Sequence, residues 1–334
     1  MGSTSARLPG VGFCLALAVS AYWVERYIGG SSMAYALLLG FLVRLIAPSL
    51  QQTEGALSNG VTFTSKTVLR LGVGLLGARI ALGDISALGA ETVVLTIGAL
   101  AFSICIGYLI ARALGADRDL AIISAGAVSI CGASAALAVF AIFQPTQSRF
   151  RDTMAIVIGV TAMSTLAMFA YPAIAAAANL DAMTAGVFFG ATIHDVAQVV
   201  GAGYLWSETA GDTAVIVKLT RVACLAPAIA LMALYFSRTG ASGLAIKDTN
   251  TPIPGFLLGF IALAVANSIG LIPASLASIL ADLATWALLA AMAALGLKTC
   301  PIEIKAVGAR PFLILALQSL FLLAFVIVAL LLRA

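Results

Sequence analysis

Charge is what this chain has least of. Only 10% of its 334 residues are Asp, Glu, Lys or Arg, against about a quarter in soluble domains. So few cannot coat a soluble surface of this length. The apolar content of 62% and mean hydropathy of +1.11 put lipid in the place of water. Histidine is scarcer still, with His194 the only one. The five cysteines (Cys14, Cys105, Cys131, Cys224, Cys300) are widely spaced, odd in number and mostly set in apolar runs, with no CxxC pair. That pattern excludes a disulfide framework, and with a single histidine it also argues against a zinc or iron site. A net charge of +4 is too small to imply nucleic acid, and the scattered aromatic residues form no cofactor box. No cofactor is expected.

What remains is an all-α polytopic membrane protein of about eleven membrane segments. The run 11–28 passes through Tyr22, Trp23 and Val24 without a small-residue cleavage site, so it reads as a membrane helix and not a signal peptide. Further runs cover 33–48, 67–88, 92–114, 120–143, 153–177, 182–204, 213–236, 255–271, 275–297 and 311–332, with 50–62 a polar loop. Each long run approaches the ~20 apolar residues that a ~30 Å hydrocarbon core requires. The chain divides into first-half helices over 11–114, a core segment over 118–236 and final helices over 254–334, all within one transmembrane unit, 1–334. With Arg7 in the cytoplasm and eleven crossings, Arg44, Arg112, Arg118, Arg238, Lys247, Lys298, Lys305 and Arg310 fall at cytoplasmic ends. If 120–143 and 182–204 are re-entrant hairpins, Arg149 and Arg151 also turn inward; both arrangements stay open.

The stretch from Gly190 to Gly203 is a polar island among these runs. It holds Thr192, His194, Asp195 and Gln198, with glycines at both ends. Unpaired polar groups cost several kcal/mol in lipid, so the cluster must face protein or water. The glycines favour a broken helix lining a cavity. A second break is expected at Cys131-Gly132-Ala133-Ser134-Ala135. A half-helix starting near Ser134 offers free N–H groups and about half a positive charge to an anion, although a tight small-residue helix crossing also fits these residues. His194 beside Asp195 suits a coupling proton, with a polar clasp between helices as the alternative. Lys218 and Arg221 lie i,i+3 on one helix face, too deep to reach the interface with ease. They call for a bound anion or an ion pair with Asp195 or Asp212.

Residues 77–90 align without a gap on 296–309, pairing Arg79 with Lys298, Asp84 with Glu303, and glycines at both ends. The two copies, 67–114 and 283–334, would run in opposite directions, which is a recurring plan of secondary transporters.

The Gly190-to-Gly203 stretch, the break from Ile130 to Ala135 and Val217-Lys218-Leu219-Thr220-Arg221 together resemble the bacterial family labelled sulfate exporters, over nearly the whole chain. The resemblance implies kinship with the bile-acid symporter and sodium/proton antiporter superfamily. It also implies two interrupted helices crossing near Ser134 and Thr192, an elevator mechanism, a homodimer and residence in the inner membrane. Asp195 stands where that family more often has glutamate. The element order of the second half is permuted, so the superfamily's sodium ligands do not transfer.

The expected function is a secondary carrier for a small anion, such as sulfate or an organosulfonate, coupled to protons or sodium and embedded in the bilayer as a homodimer. Gly132, Ser134, Ala135, Thr192, His194, Gln198, Lys218 and Arg221 are its expected substrate site, with His194 and Asp195 coupling. Two other classes use the same residues: an intramembrane hydrolase with a Ser134–His194 dyad, and a ligand sensor that moves nothing.

Overall fold

The computed structural model describes residues 7–47, 56–79, 88–144, 146–238, 254–299 and 308–333. Every regular element among them is a helix of some kind. The chain forms two compact units, each discontinuous in sequence: Met1–Ala87, Tyr204–Asp212 and Pro254–Cys300 in the first, Leu88–Gly203, Thr213–Ile253 and Pro301–Ala334 in the second.

The first unit is built on α1 (Leu8–Ile28), α2 (Ser32–Ile46), α3 (Ala56–Phe63), α4 (Leu69–Leu75), and a later pair that we number α13 (Gly255–Ser268) and α14 (Ala274–Lys298). A π turn, Thr64–Val68, joins α3 to α4. Leu288 to Leu297 of α14 are buried without interruption, so this helix is the unit's core. Gly40 of α2 and Gly296 of α14 allow the closest approach, since a Cβ on either would strike the other helix's backbone. The stretch 50–62, expected as a polar loop, is helical from Ala56. Two things make this possible. Thr64 Oγ1 donates to Gly60 O at 2.8 Å and Ser65 Oγ to Thr62 O at 3.1 Å, so the hydroxyls of the π turn bond back onto the carbonyls of α3. Gly60 also meets Gly10 of α1 backbone to backbone.

Arg79 is an ion-pair hub of this unit. It donates to Glu208 Oε1 at 2.7 Å and to Asp212 Oδ2. Tyr204 Oη donates to the other oxygen of Asp212 at 2.6 Å, and Ser31 Oγ donates to Tyr204 O at 2.9 Å.

The second unit contains α5 (Gly89–Ala113), α6 (Arg118–Ser129), α7 (Ala133–Phe140), α8 (Gln147–Ala177), α9 (Ala182–Thr192), α10 (Val196–Trp206), α11 (Glu208–Ala223), α12 (Leu225–Arg238) and α15 (Ala309–Leu331), with the ends of α10 and α11 crossing into the first. Six helices among the described residues are long and apolar enough to cross a membrane: α1, α5, α8, the α11–α12 run, α14 and α15. The two stretches expected to be interrupted, 120–143 and 182–204, are each a pair of half-helices. At 1.5 Å per residue, α9 is roughly 16 Å long, about half a hydrocarbon core. The aligned repeat lies mostly outside the described residues, Asp84 and Glu303 included.

Candidate functional site

Both helix breaks have local causes. In the first, α6 ends at Ser129 and α7 starts at Ala133, with Gly132 between them at φ 69°, ψ −129°. That left-handed backbone favours glycine. In the second, α9 ends at Thr192, Ile193 is extended (φ −70°, ψ 139°), and α10 starts at Val196. The two breaks face each other: a Cβ on Gly132 would sit 3.7 Å from the carbonyl of His194 and 3.8 Å from Cβ of Asp195. Two helix C-termini and two helix N-termini are thereby gathered at one place in the second unit.

The C-terminal poles are answered by two buried cations on α11. Arg221 is 1% exposed and spends its guanidinium on main-chain oxygens: Nε on Ser129 at 2.9 Å, Nη2 on Val128 and Ser129 at 2.9 and 2.5 Å, and Nη1 on Gly190, Ala191 and Ile193 at 3.1, 2.8 and 3.2 Å. Lys218, fully buried, donates to Ile130 O at 2.8 Å and Ile193 O at 2.9 Å. These partners are neither an anion nor Asp195 or Asp212, which were the sequence expectations. They are carbonyls that the broken helices leave without N–H donors, each C-terminus carrying about half a negative charge. Buried charges persist only when paired and hydrogen-bonded, and here the pairing is with backbone dipoles.

The other expected residues divide into enclosed and open. His194 is 1% exposed, its Nδ1 lying 3.1 Å from Val128 O and its Nε2 2.8 Å from Ser319 Oγ of α15. Neither bond involves Asp195 or Ser134. Thr192 turns its hydroxyl back to Phe188 O at 2.6 Å, and Ala135 is buried. Gln198 is 3% exposed and donates from Nε2 to Thr165 Oγ1 at 3.3 Å, leaving Oε1 without a partner among the described residues. On the open side, Ser134 is exposed, and Asp195 is half-buried with its carboxylate only 3.5 Å from Ala197 N. Ser164 of α8 accepts from Asp195 N at 3.0 Å. Sequence reasoning missed Ser164, Thr165 and Ser319. The adjacent polar pair Gln318-Ser319 inside an apolar 23-residue helix was the available signal. Among the described residues no cluster of three or more His, Cys, Asp or Glu could hold a metal ion.

The chain matches the family described as "Conserved hypothetical protein 698" over residues 9–315. It is 39% identical to a UPF0324 membrane protein of Chlorobaculum tepidum over 323 residues, covering 96% of this chain and 88% of the relative. It is also 40% identical over 324 residues to a UPF0324 membrane protein of Rhizobium meliloti, covering 97% and 91%. The UPF0324 membrane protein TauZ of Paracoccus denitrificans is 38% identical over 329 residues, covering 98% and 96%. No solved structure matches.

Proposed function

Because the chain belongs to the UPF0324 family of membrane proteins, which align with it almost end to end, we propose that it is a secondary active carrier whose small anionic substrate sits where the two helix breaks meet. One observation carries this reading. Arg221 and Lys218 cancel the negative poles of α6 and α9, while the positive poles at the starts of α7 and α10 meet no such counter-charge from α11. An anion beside Ser134 then gains two helix dipoles where the dielectric is low. Half-helices meeting in this way are how secondary transporters build a midplane site. In this reading Lys218 and Arg221 act by positioning and by charge, and Ser134 is the exposed hydroxyl donor.

The remaining features belong to the same proposal: about eleven segments with inverted repeats, an elevator mechanism, a homodimer, the inner membrane with a cytoplasmic amino terminus, and the likeness to sulfate exporters and bile-acid symporters. Asp195, half-buried and in no ion pair among the described residues, is better placed than His194 to meet a positive charge. Both ring nitrogens of His194 are engaged, and it shares its surroundings with two cations.

The test is flux of labelled oxyanions and organic acids into sealed proteoliposomes. We expect saturable uptake of at least one anion, abolished by Ser134→Asp, which puts a negative charge on the half-helix N-termini. Saturable binding without flux supports a sensor. Labelling of Ser134 by a fluorophosphonate supports a hydrolase, against which stands the engagement of His194 by Val128 and Ser319.

A further inference from the structure

Three features of the crossing bear on what kind of anion it takes. The first is that neither buried cation of α11 is left for it. Every nitrogen of Arg221 is hydrogen-bonded to a carbonyl, and Lys218 holds two more. Two helix dipoles supply at most about one positive charge together, with the start of α10 already facing the Asp195 carboxylate, which suits a singly charged group and falls short of a dianion.

The second is Asp195. Its Cβ lies 3.8 Å from where a Cβ of Gly132 would stand, at the start of α7, and its side chain is half-buried, within the field of Lys218 but in no ion pair among the described residues. Among the described residues its one side-chain hydrogen bond is the long contact from Ala197 N. A carboxylate in this position repels further negative charge and attracts positive charge.

The third is Gln198, one turn further along α10. Thr165 Oγ1 donates its own proton to Thr161 O at 3.1 Å, so it accepts from Gln198 Nε2 and the amide is oriented. Gln198 Oε1 is then a buried acceptor without a donor among the described residues, on a side chain 3% exposed. A buried acceptor left empty is costly, so a donor that reaches it, such as an ammonium N–H, is favoured.

We propose, resting on the carrier reading above, that the substrate is a small zwitterion. A singly charged carboxylate or sulfonate is held at the starts of α7 and α10 beside Ser134, and an ammonium is held by Asp195 with Gln198 Oε1 as second acceptor. A bare metal cation fits this place less well than an ammonium. The carbonyls that a helix break ordinarily offers to sodium (Val128, Ser129, Ile130, Gly190, Ala191, Ile193) already accept from Lys218 and Arg221.

The experiment is a binding titration of the full-length protein in detergent micelles with matched pairs. These are β-alanine against propionate and 3-aminopropanesulfonate against propanesulfonate, with sulfate as the dianion, each in sodium chloride and in N-methylglucamine chloride. The amino compound of each pair is expected to bind at least about tenfold tighter, independently of sodium. Asp195→Asn is expected to erase that preference while keeping the singly charged anions bound. Equal binding within pairs, tightest binding of sulfate, or sodium raising the desamino anions to the level of the amino ones overturns the zwitterion and leaves the anion carrier standing. If no anion binds in either salt, the carrier reading fails and this inference fails with it. The pair comparison in the unmutated protein decides the matter even if Asp195→Asn does not fold.

Discussion

The carbonyl of Ser129 is gripped twice by Arg221, from Nη2 at 2.5 Å and from Nε at 2.9 Å. The same guanidinium reaches across to Gly190, Ala191 and Ile193 at the end of the other half-helix. One planar fork thus closes two helix ends, which an ammonium cannot do in the same geometry. Arg221→Met leaves several buried carbonyls without donors, each worth about 1–3 kcal/mol. Lys218→Met is expected to cost less, because Ile193 O keeps its bond to Arg221 and only Ile130 O loses its donor. Thermal unfolding in detergent micelles should rank the midpoints as unmutated, then Lys218→Met, then Arg221→Lys, then Arg221→Met. A Lys218→Met protein less stable than Arg221→Met would show that charge counts for more than bond geometry.

His194 clasps α15 to the break through Ser319. Ser319 Oγ also lies 2.7 Å from Leu315 O, so the hydroxyl has a second acceptor within its own helix when histidine is removed. Ser319→Ala is therefore expected to be mild, about 1 kcal/mol. His194→Ala should be worse, because the imidazole fills enclosed space and also bonds Val128 O. If the clasp is real, the double mutant will be more stable than the two single losses predict, by a coupling of about 0.5–3 kcal/mol. Strict additivity in the unfolding midpoints would remove it.

The breaks themselves were legible in the sequence, and the partners of the buried cations were not. Glycine and polar residues inside apolar runs announce an interruption, and the structure places both interruptions within a few residues of Gly132 and His194. The partners of Lys218 and Arg221 are backbone oxygens, which every residue carries and no residue type reveals. A sequence search for counter-charges leads naturally to Asp195 and Asp212, and both turn out to be occupied elsewhere or left open. Arg79 shows the same limit from the other side. Its acidic partners, Glu208 and Asp212, lie 129 and 133 residues away, a separation that only tertiary folding closes. The polar stretch before residue 63 was misread because the close backbone approach of Gly60 to Gly10 of α1 joins two segments far apart in sequence and has no signature in either alone.

The two carboxylates on Arg79 differ in exposure, and this separates their contributions. The Glu208 side chain is 72% exposed and that of Asp212 23%, against 29% for Arg79. Water screens the first pair, which falls among surface bridges worth about 0–1 kcal/mol. Asp212 also accepts from Tyr204 Oη, so its loss strands two donors. Glu208→Gln should leave the unfolding midpoint nearly unchanged, and added salt should mimic it. Asp212→Ala should lower the midpoint clearly, with Tyr204→Phe in between. Equal effects from the two acidic residues would contradict the assignment of Asp212 as the centre of this cluster.

Two glycines in helices make opposite predictions for the same one-carbon change. A Cβ on Gly190 would come within 2.6 Å of Ala214 O and 2.7 Å of Val217 Cβ, on the helix that also carries Lys218 and Arg221. Backbone cannot yield there without moving α11 away from α9 and stretching the bonds from Arg221 to the carbonyls of Gly190 and Ala191. Overpacking of this kind costs about 1–3 kcal/mol. Gly98, inside α5, has nothing within 4 Å of the same position and is exposed. Gly98→Ala gains about 1 kcal/mol of helix propensity and meets no obstacle. We expect Gly98→Ala to match or exceed the unmutated protein in thermal midpoint. Gly190→Ala should fall below it and lose anion binding, since the helix ends that frame the crossing would no longer be held in place. A Gly190→Ala protein with normal stability and normal binding would mean that α9 and α11 separate freely, and the clamp made by Arg221 could not then be what holds the crossing together.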